Sequence, residues 1–294
     1  MSATTEKHAS GADSSSGPRG LSILGSTRDP ERVPAAVEAH NVSVWRDGNF
    51  VSQYVSSELQ PAESLLLERY RADLSGHVLE LGCGAGRLTG HLIGVGGSVH
   101  GIDVSSSMVT YCREHHPSGA FDVADLRDLS AEPAQSLDVV VATNNVLDIL
   151  EDAERRRVLR EIRRILKPGG LLWMSSHNRD FLPNLRSPTD ISGRNVVRSA
   201  GKLALMPWRM YNRRRLLGLQ RFEHDYAIVN DEAHHFRLLH YYISPASQER
   251  QLSEEGLDLI ACLCSDGREV SARDSVADCV EMHYLARRPA SDAT

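Results

Sequence analysis

Hydrophobic and polar positions alternate along residues 77–176 with a period that changes several times. Short apolar runs predict buried strands, and apolar residues at helical spacing follow several of them, most clearly in residues 151–166. Strands that alternate with helices predict a parallel sheet covered on both faces. The five predicted strands are His77–Leu81, Ser98–Asp103, Ala120–Val123, Leu137–Ala142 and 171–175.

The pattern is different on either side of this region. Helical spacing in residues 30–74 predicts an N-terminal helical cap, and residues 177–239 show no clear strand, which predicts a lid insertion after the fifth strand. Two later apolar runs, 257–264 and 277–286, predict a C-terminal antiparallel hairpin. The predicted fold class is therefore α/β, with a doubly wound, seven-stranded, mostly parallel sheet in a domain spanning residues 21–289.

Composition limits the partners and the compartment. Residues 1–20 are rich in Ser, Gly and Ala, which predicts a disordered tail, and residues 290–294 are read as a second tail. The net charge of -6 disfavours nucleic acid and anionic lipid as general partners. The five cysteines form no CxxC pair and no apolar run is long enough to span a bilayer. These features predict a cytoplasmic protein with a small-molecule partner and give no oligomeric state.

A glycine-rich turn follows the first predicted strand in the segment VLELGCGAGRL. Gly82, Gly84 and Gly86 stand between a strand and a helix, where a turn needs unusual dihedral angles and a ligand needs close approach to the backbone. Asp103 ends the next strand 21 residues after Gly82, a position from which a carboxylate accepts the hydrogen bonds of a ribose diol. The sequence therefore predicts a site for an adenosine-containing cofactor.

Two residues of the same segment indicate which cofactor it is. Arg87 occupies the place where a dinucleotide fingerprint has its third glycine, and Glu80 lies near the predicted pocket. A carboxylate at that place would repel a pyrophosphate and would suit a cationic amino-acid end. This favours S-adenosyl-L-methionine over NAD or FAD.

Five segments within residues 77–176 resemble, in order, the motifs of the class I (Rossmann-like) S-adenosylmethionine-dependent methyltransferases. They are VLELGCGAGRL, GIDVSSSM, ADLRDL, LDVVVATNNVLDIL and LKPGGLL. The resemblance implies methyl transfer as the activity and a set of cofactor contacts. At the methionine end, it implies contacts from Gly82, Cys83, Gly84, Gly86 and Asn144. Asp103 would hold the ribose, Val104 and Met108 would flank the adenine, and Asp125 and Leu126 would meet its amino group and ring. Tyr54 lies in a segment that often closes over the cofactor carboxylate. The alternative interpretations are an ordinary core tyrosine for Tyr54 and a solvated turn acid for Asp125.

The chain departs from the family after the fourth strand. It reads NNVLDIL, with Asp148 in the later position, where many members carry an aromatic or histidine pair. It also lacks the NPPY-type signature of enzymes that methylate amino groups of nucleobases or glutamine amides. Those two substrate classes lose support.

Candidate residues for acceptor chemistry follow the fifth strand: His177, Asn178 and Arg179 at its end, and His234, His235, His240, Tyr241 and Tyr242 farther along. Methyl transfer from a sulfonium works largely by positioning, and a general base is needed only for a protonated acceptor. His177, just beyond the strand, is the candidate catalytic base, although a polar cap on the loop is an equal interpretation. His234 and His235 are interpreted as surface residues, and no ligand spacing surrounds them, so no metal site is predicted.

Residues 191–222 carry eight Lys or Arg and no acid, interleaved with Trp208 and Tyr211. Such a segment can bind nucleic acid, lie on an anionic membrane, or act as a lid helix whose arginines extend to solvent or hold an anionic substrate. The net charge of the chain favours the interpretation of this segment as a lid helix.

The predicted function is methylation of an oxygen or nitrogen of a small molecule, such as a specialised metabolite or a sugar. The alternatives are an RNA or protein methyltransferase that docks through residues 191–222, and a non-catalytic S-adenosylmethionine-binding module.

Overall fold

The computed structural model of the protein describes residues 32–47, 51, 55, 58–185, 196–271 and 274–290. The predicted tail of residues 1–20 and the candidate contact Tyr54 lie outside this part of the chain. Its α-helices are α1 Arg32–Asp47, α2 Pro61–Arg69, α3 Thr89–Gly94, α4 Ser106–His115, α5 Asp152–Ile165, α6 Val196–Leu216 and α7 Pro245–Glu254. None of these helices is long and apolar enough to cross a membrane.

The strands form one sheet. They are β1 His77–Leu81, β2 Ser98–Asp103, β3 Ala120–Val123, β4 Leu137–Ala142, β5 Leu166–Asn178, β6 Arg221–Phe222, β7 Tyr226–Val229, β8 His240–Ile243, β9 Asp258–Cys264 and β10 Glu281–Arg287. The main order is β3-β2-β1-β4-β5-β10-β9, parallel except that β10 runs antiparallel to both β5 and β9. The predicted α/β class, with its mostly parallel sheet and C-terminal antiparallel hairpin, is confirmed.

Three additional strands extend this sheet. β6, β7 and β8 form an antiparallel meander, and β8 joins the end of β5 in parallel, with His177 opposite Tyr242 and Asn178 opposite Ile243. The expectation that residues 177–239 contain no strand was wrong, because runs of two and four residues are too short to show a period. β5 is also longer than predicted and ends at Asn178, so His177 lies within the strand rather than beyond its end.

Alternate residues of the central strands face different helical layers, as a period of two requires. Val139 and Val141 pack with Trp173 toward α2 and α3, whereas Val140 packs toward α5. The buried stripe of α5 consists of Val158, Leu159, Ile162 and Ile165. With both faces covered, the carboxyl ends of the parallel strands are the edge at which a ligand can bind.

Helix α1 is fixed across that edge by one buried side chain. The Asn41 amide donates to the carbonyl oxygens of Ile149 and Leu239 at 2.9 and 2.8 Å and accepts from the Leu239 amide at 3.2 Å. This network places Val42 and Trp45 over the strand ends. The helix thereby forms one wall of the cleft described next.

Candidate active site

A cleft opens at the carboxyl ends of β1, β2, β4 and β5, between α1 and a turn at residues 233–236. Side chains from all of these elements line it. The sequence-predicted residues among them are Gly82, Gly84, Asp103, Val104, Met108, Asp125, Leu126, Asn144 and His177. The fold thus brings nine of the residues singled out by sequence to one surface.

The glycine loop is shaped by its backbone. Gly82 has φ +61°, and a Cβ there would lie 2.2 Å from Cγ2 of Val146, so only glycine fits. The Gly84 amide donates to Oδ2 of Asp103 at 3.0 Å, and the Ser105 amide donates to Oδ1 at 2.8 Å. Burial raises the pKa of Asp103 against these two hydrogen bonds. The carboxylate is therefore held rigidly, with acceptor capacity left for a ligand.

Glu80, Cys83 and Gly86 lie behind the loop rather than in the cleft wall. Glu80 is buried and accepts a hydrogen bond from Oγ1 of Thr89 at 2.6 Å, and burial raises its pKa to about 7. Its charge at neutral pH is therefore only partial, which weakens the electrostatic argument made from the sequence.

The other two residues of this group have packing roles. A Cβ on Gly86 would lie 2.5 Å from the ring of His116. Cys83 is buried beside Cys112, and its hydrogen bond with that thiol, together with burial, raises its pKa well above the ordinary range. Contact of Glu80, Cys83 and Gly86 with a cofactor stays a prediction.

Asp125 has a partner that the sequence analysis missed. The guanidinium of Arg127, two residues on, donates three hydrogen bonds of 2.6–3.1 Å to the two carboxylate oxygens. Although burial acts in the opposite direction, these bonds hold the pKa of Asp125 below its usual value. Both side chains line the cleft, and the spacing within ADLRDL was the available signal.

The turn after β4 has an unusual backbone. Asn144 and Asn145 are both in the left-handed region, with φ of +57° and +58°. The Asn145 amide donates to Oγ of Ser175 at 2.8 Å, and that hydroxyl donates to Oδ1 of Asn145 at 3.1 Å. Asn144 is exposed in the cleft wall. Consecutive left-handed non-glycine residues are costly and cluster at ligand sites.

His177 is held by a buried carboxylate. Its Nδ1 lies 2.7 Å from Oδ2 of Asp148, and its main-chain amide donates to the same oxygen at 2.7 Å. The other oxygen of Asp148 accepts from Arg155 and from the Ser176 hydroxyl, both at 2.7 Å. Burial opposes the histidine cation, but Asp148 outweighs it and holds the pKa of His177 above its ordinary value.

A second histidine–carboxylate pair lies against the first; the sequence analysis named its histidine as a candidate but missed its carboxylate. Nδ1 of His240 is 2.8 Å from Oδ2 of Asp231, and the Tyr242 hydroxyl donates to the same oxygen at 2.7 Å. The rings of His177 and His240 stack with centroids 4.9 Å apart. Ligating atoms of His177, Asp231 and His240 lie within 4.8 Å of one another, so among the described residues this group has the composition of a metal site.

The turn that closes the cleft is left-handed over three residues. His234, His235 and Phe236 have φ of +48°, +61° and +61°, and the Asn230 amide donates to the carbonyl oxygens of Phe236 and Leu238. His235 is exposed, as expected, whereas His234 lines the cleft and contacts Trp45 edge-on at 4.9 Å. Burial lowers the pKa of His234 to about 4, so it is neutral at physiological pH.

These features define a class of protein. The parallel sheet, the glycine loop after β1 and the carboxylate at the end of β2 are the elements with which Rossmann-like α/β proteins bind a nucleoside-containing ligand. The cleft lies where that class binds its ligands. The histidine pairs at the β5 side place acid–base groups at the far end of the same cleft.

Comparison with known proteins narrows the class. A family model described as a methyltransferase domain matches residues 78–170. The ubiquinone biosynthesis O-methyltransferase of Xanthomonas axonopodis pv. citri is 33% identical over 132 residues, which cover 43% of this chain and 48% of that protein. The chain therefore spans about half the length of the curated relatives it matches.

Solved structures agree in fold. The 1,6-didemethyltoxoflavin-N1-methyltransferase of Burkholderia thailandensis, with bound S-adenosylhomocysteine, superposes with a TM-score of 0.54 at 14% identity over 88% of this chain and 90% of that one. A S-adenosylmethionine-dependent methyltransferase from Clostridium acetobutylicum gives a TM-score of 0.54 at 14% identity, covering 80% and 94%. Residues 78–170 therefore match a methyltransferase domain, and the fold is that of S-adenosylmethionine-dependent methyltransferases, which confirms the resemblance found in the sequence.

Proposed function

We propose that this protein transfers the methyl group of S-adenosylmethionine to a hydroxyl oxygen of a small molecule, with His177 as the general base. The observation that carries the proposal is the hydrogen bond of 2.7 Å between Nδ1 of His177 and Asp148 at the wall of the cleft. The curated relatives are named as O-methyltransferases, which favours an oxygen acceptor over a nitrogen acceptor. The proposed cofactor contacts are the predicted residues that line the cleft.

The geometry of His177 suits proton removal from a hydroxyl. Asp148 accepts a hydrogen bond from Nδ1–H of His177, so the neutral ring keeps its lone pair on Nε2. Nε2 lies 3.5 Å from Nδ2 of Asn145, at the turn after β4. Nε2 takes the hydroxyl proton as the oxygen attacks the methyl carbon. The carbon–sulfur bond breaks, and its electron pair leaves with the sulfur as a neutral thioether. Asp148 acts as a positioning residue.

The lining of the cleft supports a compact acceptor with an apolar body. Val42 and Trp45 from α1 and Ile149 and Leu150 beyond the β4 turn face the same space as His177. Apolar walls with few convergent polar groups are the usual construction of small-molecule sites. A phenol or an aliphatic alcohol with an apolar skeleton therefore fits better than a strongly charged acceptor.

The arginines of residues 191–222 bear on the alternative of a macromolecular substrate. Arg209 and Arg213 stack over Phe236 at 5.2 and 5.5 Å, and Arg221 pairs with Glu151 at 3.3 Å. Charges used in this way within the molecule contribute less to phosphate attraction than free ones. This supports the interpretation of the insertion as a lid over the cleft.

The test begins with calorimetric titration of S-adenosylmethionine and, separately, NADH. We expect saturable binding of the first only; absence of binding would overturn the cofactor assignment. Transfer of a deuterated methyl group to a panel of phenols and alcohols, detected by mass spectrometry, then tests the reaction. His177→Ala should keep the cofactor affinity and slow transfer by about 10²–10⁴-fold. Cofactor binding without transfer to any of the panel would support a non-catalytic binding module instead.

A further inference from the structure

A second pocket lies on the opposite side of α1 from the cleft. Its wall combines α1, the C-terminal end of α6 and the residue after the left-handed turn. The lining residues are His40, Ser43, Val44, Asn212, Arg215, Leu216 and Arg237, which we call the α1–α6 pocket. Since Val42 and Trp45 of the same helix face the cleft, the helix separates the two spaces.

The α1–α6 pocket is basic. Arg215 is exposed and Arg237 is half-buried, and no acidic side chain is among the described residues that line the pocket. Over the described part of the chain, neither guanidinium has an ion pair. This differs from Arg209, Arg213 and Arg221, which have aromatic or acidic partners. Two like charges that face one space without a counter-charge repel each other, and an anion between them removes the repulsion.

The pKa of His40 is affected by the same excess of positive charge. Its Nε2 lies 2.7 Å from the carbonyl oxygen of Arg237, which fixes the ring at the pocket wall. Burial lowers the pKa of His40, and the charges of Arg215 and Arg237 lower it further, against the hydrogen bond. The groups that face this ring from α6 and from the turn are therefore cationic or neutral, and they include the amide of Asn212.

We propose that the α1–α6 pocket binds a phosphate group, held between the guanidinium groups of Arg215 and Arg237 with His40 at its side. Guanidinium groups match the planar arrangement of phosphate oxygens and donate charge-assisted hydrogen bonds to them. S-adenosylmethionine has no phosphate, and α1 lies between the pocket and the cleft, so the ligand is distinct from the cofactor.

A bound phosphate would act on the turn that closes the cleft. Arg237 directly follows the left-handed residues, and the Asn212 amide donates to the carbonyl oxygen of His235 at 3.0 Å. A phosphate that contacts Arg215 and Arg237 therefore joins α6 to the end of this turn. A phosphate bound in this pocket would thus stabilise one wall of the cleft from outside the cleft.

The test is a calorimetric titration of the full chain with inorganic phosphate, at constant ionic strength set with potassium chloride. We expect saturable binding, weakened at least about tenfold by Arg215→Met and by Arg237→Met, since each loses charge-assisted hydrogen bonds. Arg214→Met is the matched control: this neighbour on α6 is exposed and outside the pocket, and its replacement should leave the affinity unchanged. Thermal unfolding without phosphate checks that each variant is folded.

Two further measurements locate the ligand and its source. Proton NMR of His40 should show its pKa rising when phosphate is added, because the anion offsets the two arginine charges. Phenyl phosphate that binds more tightly than inorganic phosphate would identify a phosphate ester as the ligand, and weaker binding would identify the free ion. Absence of saturable binding to the wild-type chain, or equal weakening by Arg214→Met, would overturn the proposal.

Discussion

The glycine-loop half of the cleft, from Gly82 to Asn145, is shaped mainly by the main chain, whereas the histidine half, around His177 and His240, is shaped by buried charged side chains. In the first half, backbone amides fix Asp103 and left-handed residues form the turns. In the second, Asp148 and Arg155 are fully buried. All of the first half lies within the matched residues 78–170, whereas His177, Asp231 and His240 of the second half lie outside them. The contrast supports the proposal that a general cofactor site is joined to a particular acceptor site.

Arg155→Met is the substitution that we expect to destabilise the histidine half most. The change leaves the buried Asp148 carboxylate without its guanidinium partner, so the free energy of unfolding should fall by about 3–5 kcal/mol. Urea denaturation measures this. Arg157→Met, which removes an exposed pair with Glu154 on the same helix, should cost no more than about 1 kcal/mol. Equal losses in the two variants would refute the assigned role of the buried pair.

The glycine-loop half should be most sensitive to added backbone strain. Gly82→Ala combines a left-handed residue with overlap against Val146, and should lower the free energy of unfolding by about 2–4 kcal/mol. Gly169→Ala is the control, because its φ is also positive at +82° but its Cβ meets no atom within 4 Å. That variant should lose about 1 kcal/mol. If both variants unfold at the same denaturant concentration, the loop is less tightly packed than described.

Asp103→Ala tests the ligand-binding role of the same half. If the Asp103 carboxylate accepts hydrogen bonds from the ribose hydroxyls as proposed, its loss should weaken S-adenosylmethionine binding about 10–100-fold in calorimetric titration. Asp128→Ala removes an exposed acid farther along the same region and should leave the affinity unchanged. An unaltered affinity in Asp103→Ala would contradict the ribose assignment.

The smallest effect concerns the coupling of the two histidine pairs. The pKa of His177 is raised above the ordinary value of 6.5, and the base form is the neutral ring. The value of kcat should therefore increase as the pH rises through the raised pKa of His177. The charge of Asp231 contributes to the raised pKa of His177. Asp231→Asn should therefore move this limb of the pH profile of kcat to lower pH by less than about one unit. Asp225→Asn, at a half-buried acid outside the cleft lining, should not move it. A limb that stays in place in Asp231→Asn would show that the pairs act independently.

The sequence was most informative where the ligand contacts come from contiguous motifs. Gly82, Gly84 and Asp103 belong to strand–turn units whose order along the chain also fixes their order in the sheet. The clustering of His240 and Asp231 with His177 was missed because these residues reach His177 only through the pairing of β8 with the last residues of β5. No periodic pattern encodes that pairing. Asp148 reaches His177 from the turn after β4 through side-chain contacts, which no periodic pattern encodes either.

The direction of the Glu80 side chain could have been predicted from the sequence. Side chains alternate along a strand, so Glu80 shares its face with Val78 rather than with Leu79 and Leu81. Val78 packs with Leu88 and Leu92 beneath the glycine loop, and Glu80 therefore points to Thr89 at that buried face. Strict use of the period would have placed it behind the loop.

The arrangement of β5 has a consequence for the order in which the chain assembles. β5 pairs with β4, which precedes it closely, and with β10, which follows it by more than a hundred residues. During synthesis from the N-terminus, the outer edge of β5 stays open until β10 has left the ribosome. An open edge in a hydrophobic strand is a template for pairing with other chains. The nascent protein is thus most exposed to aggregation while the residues between these two strands are being made.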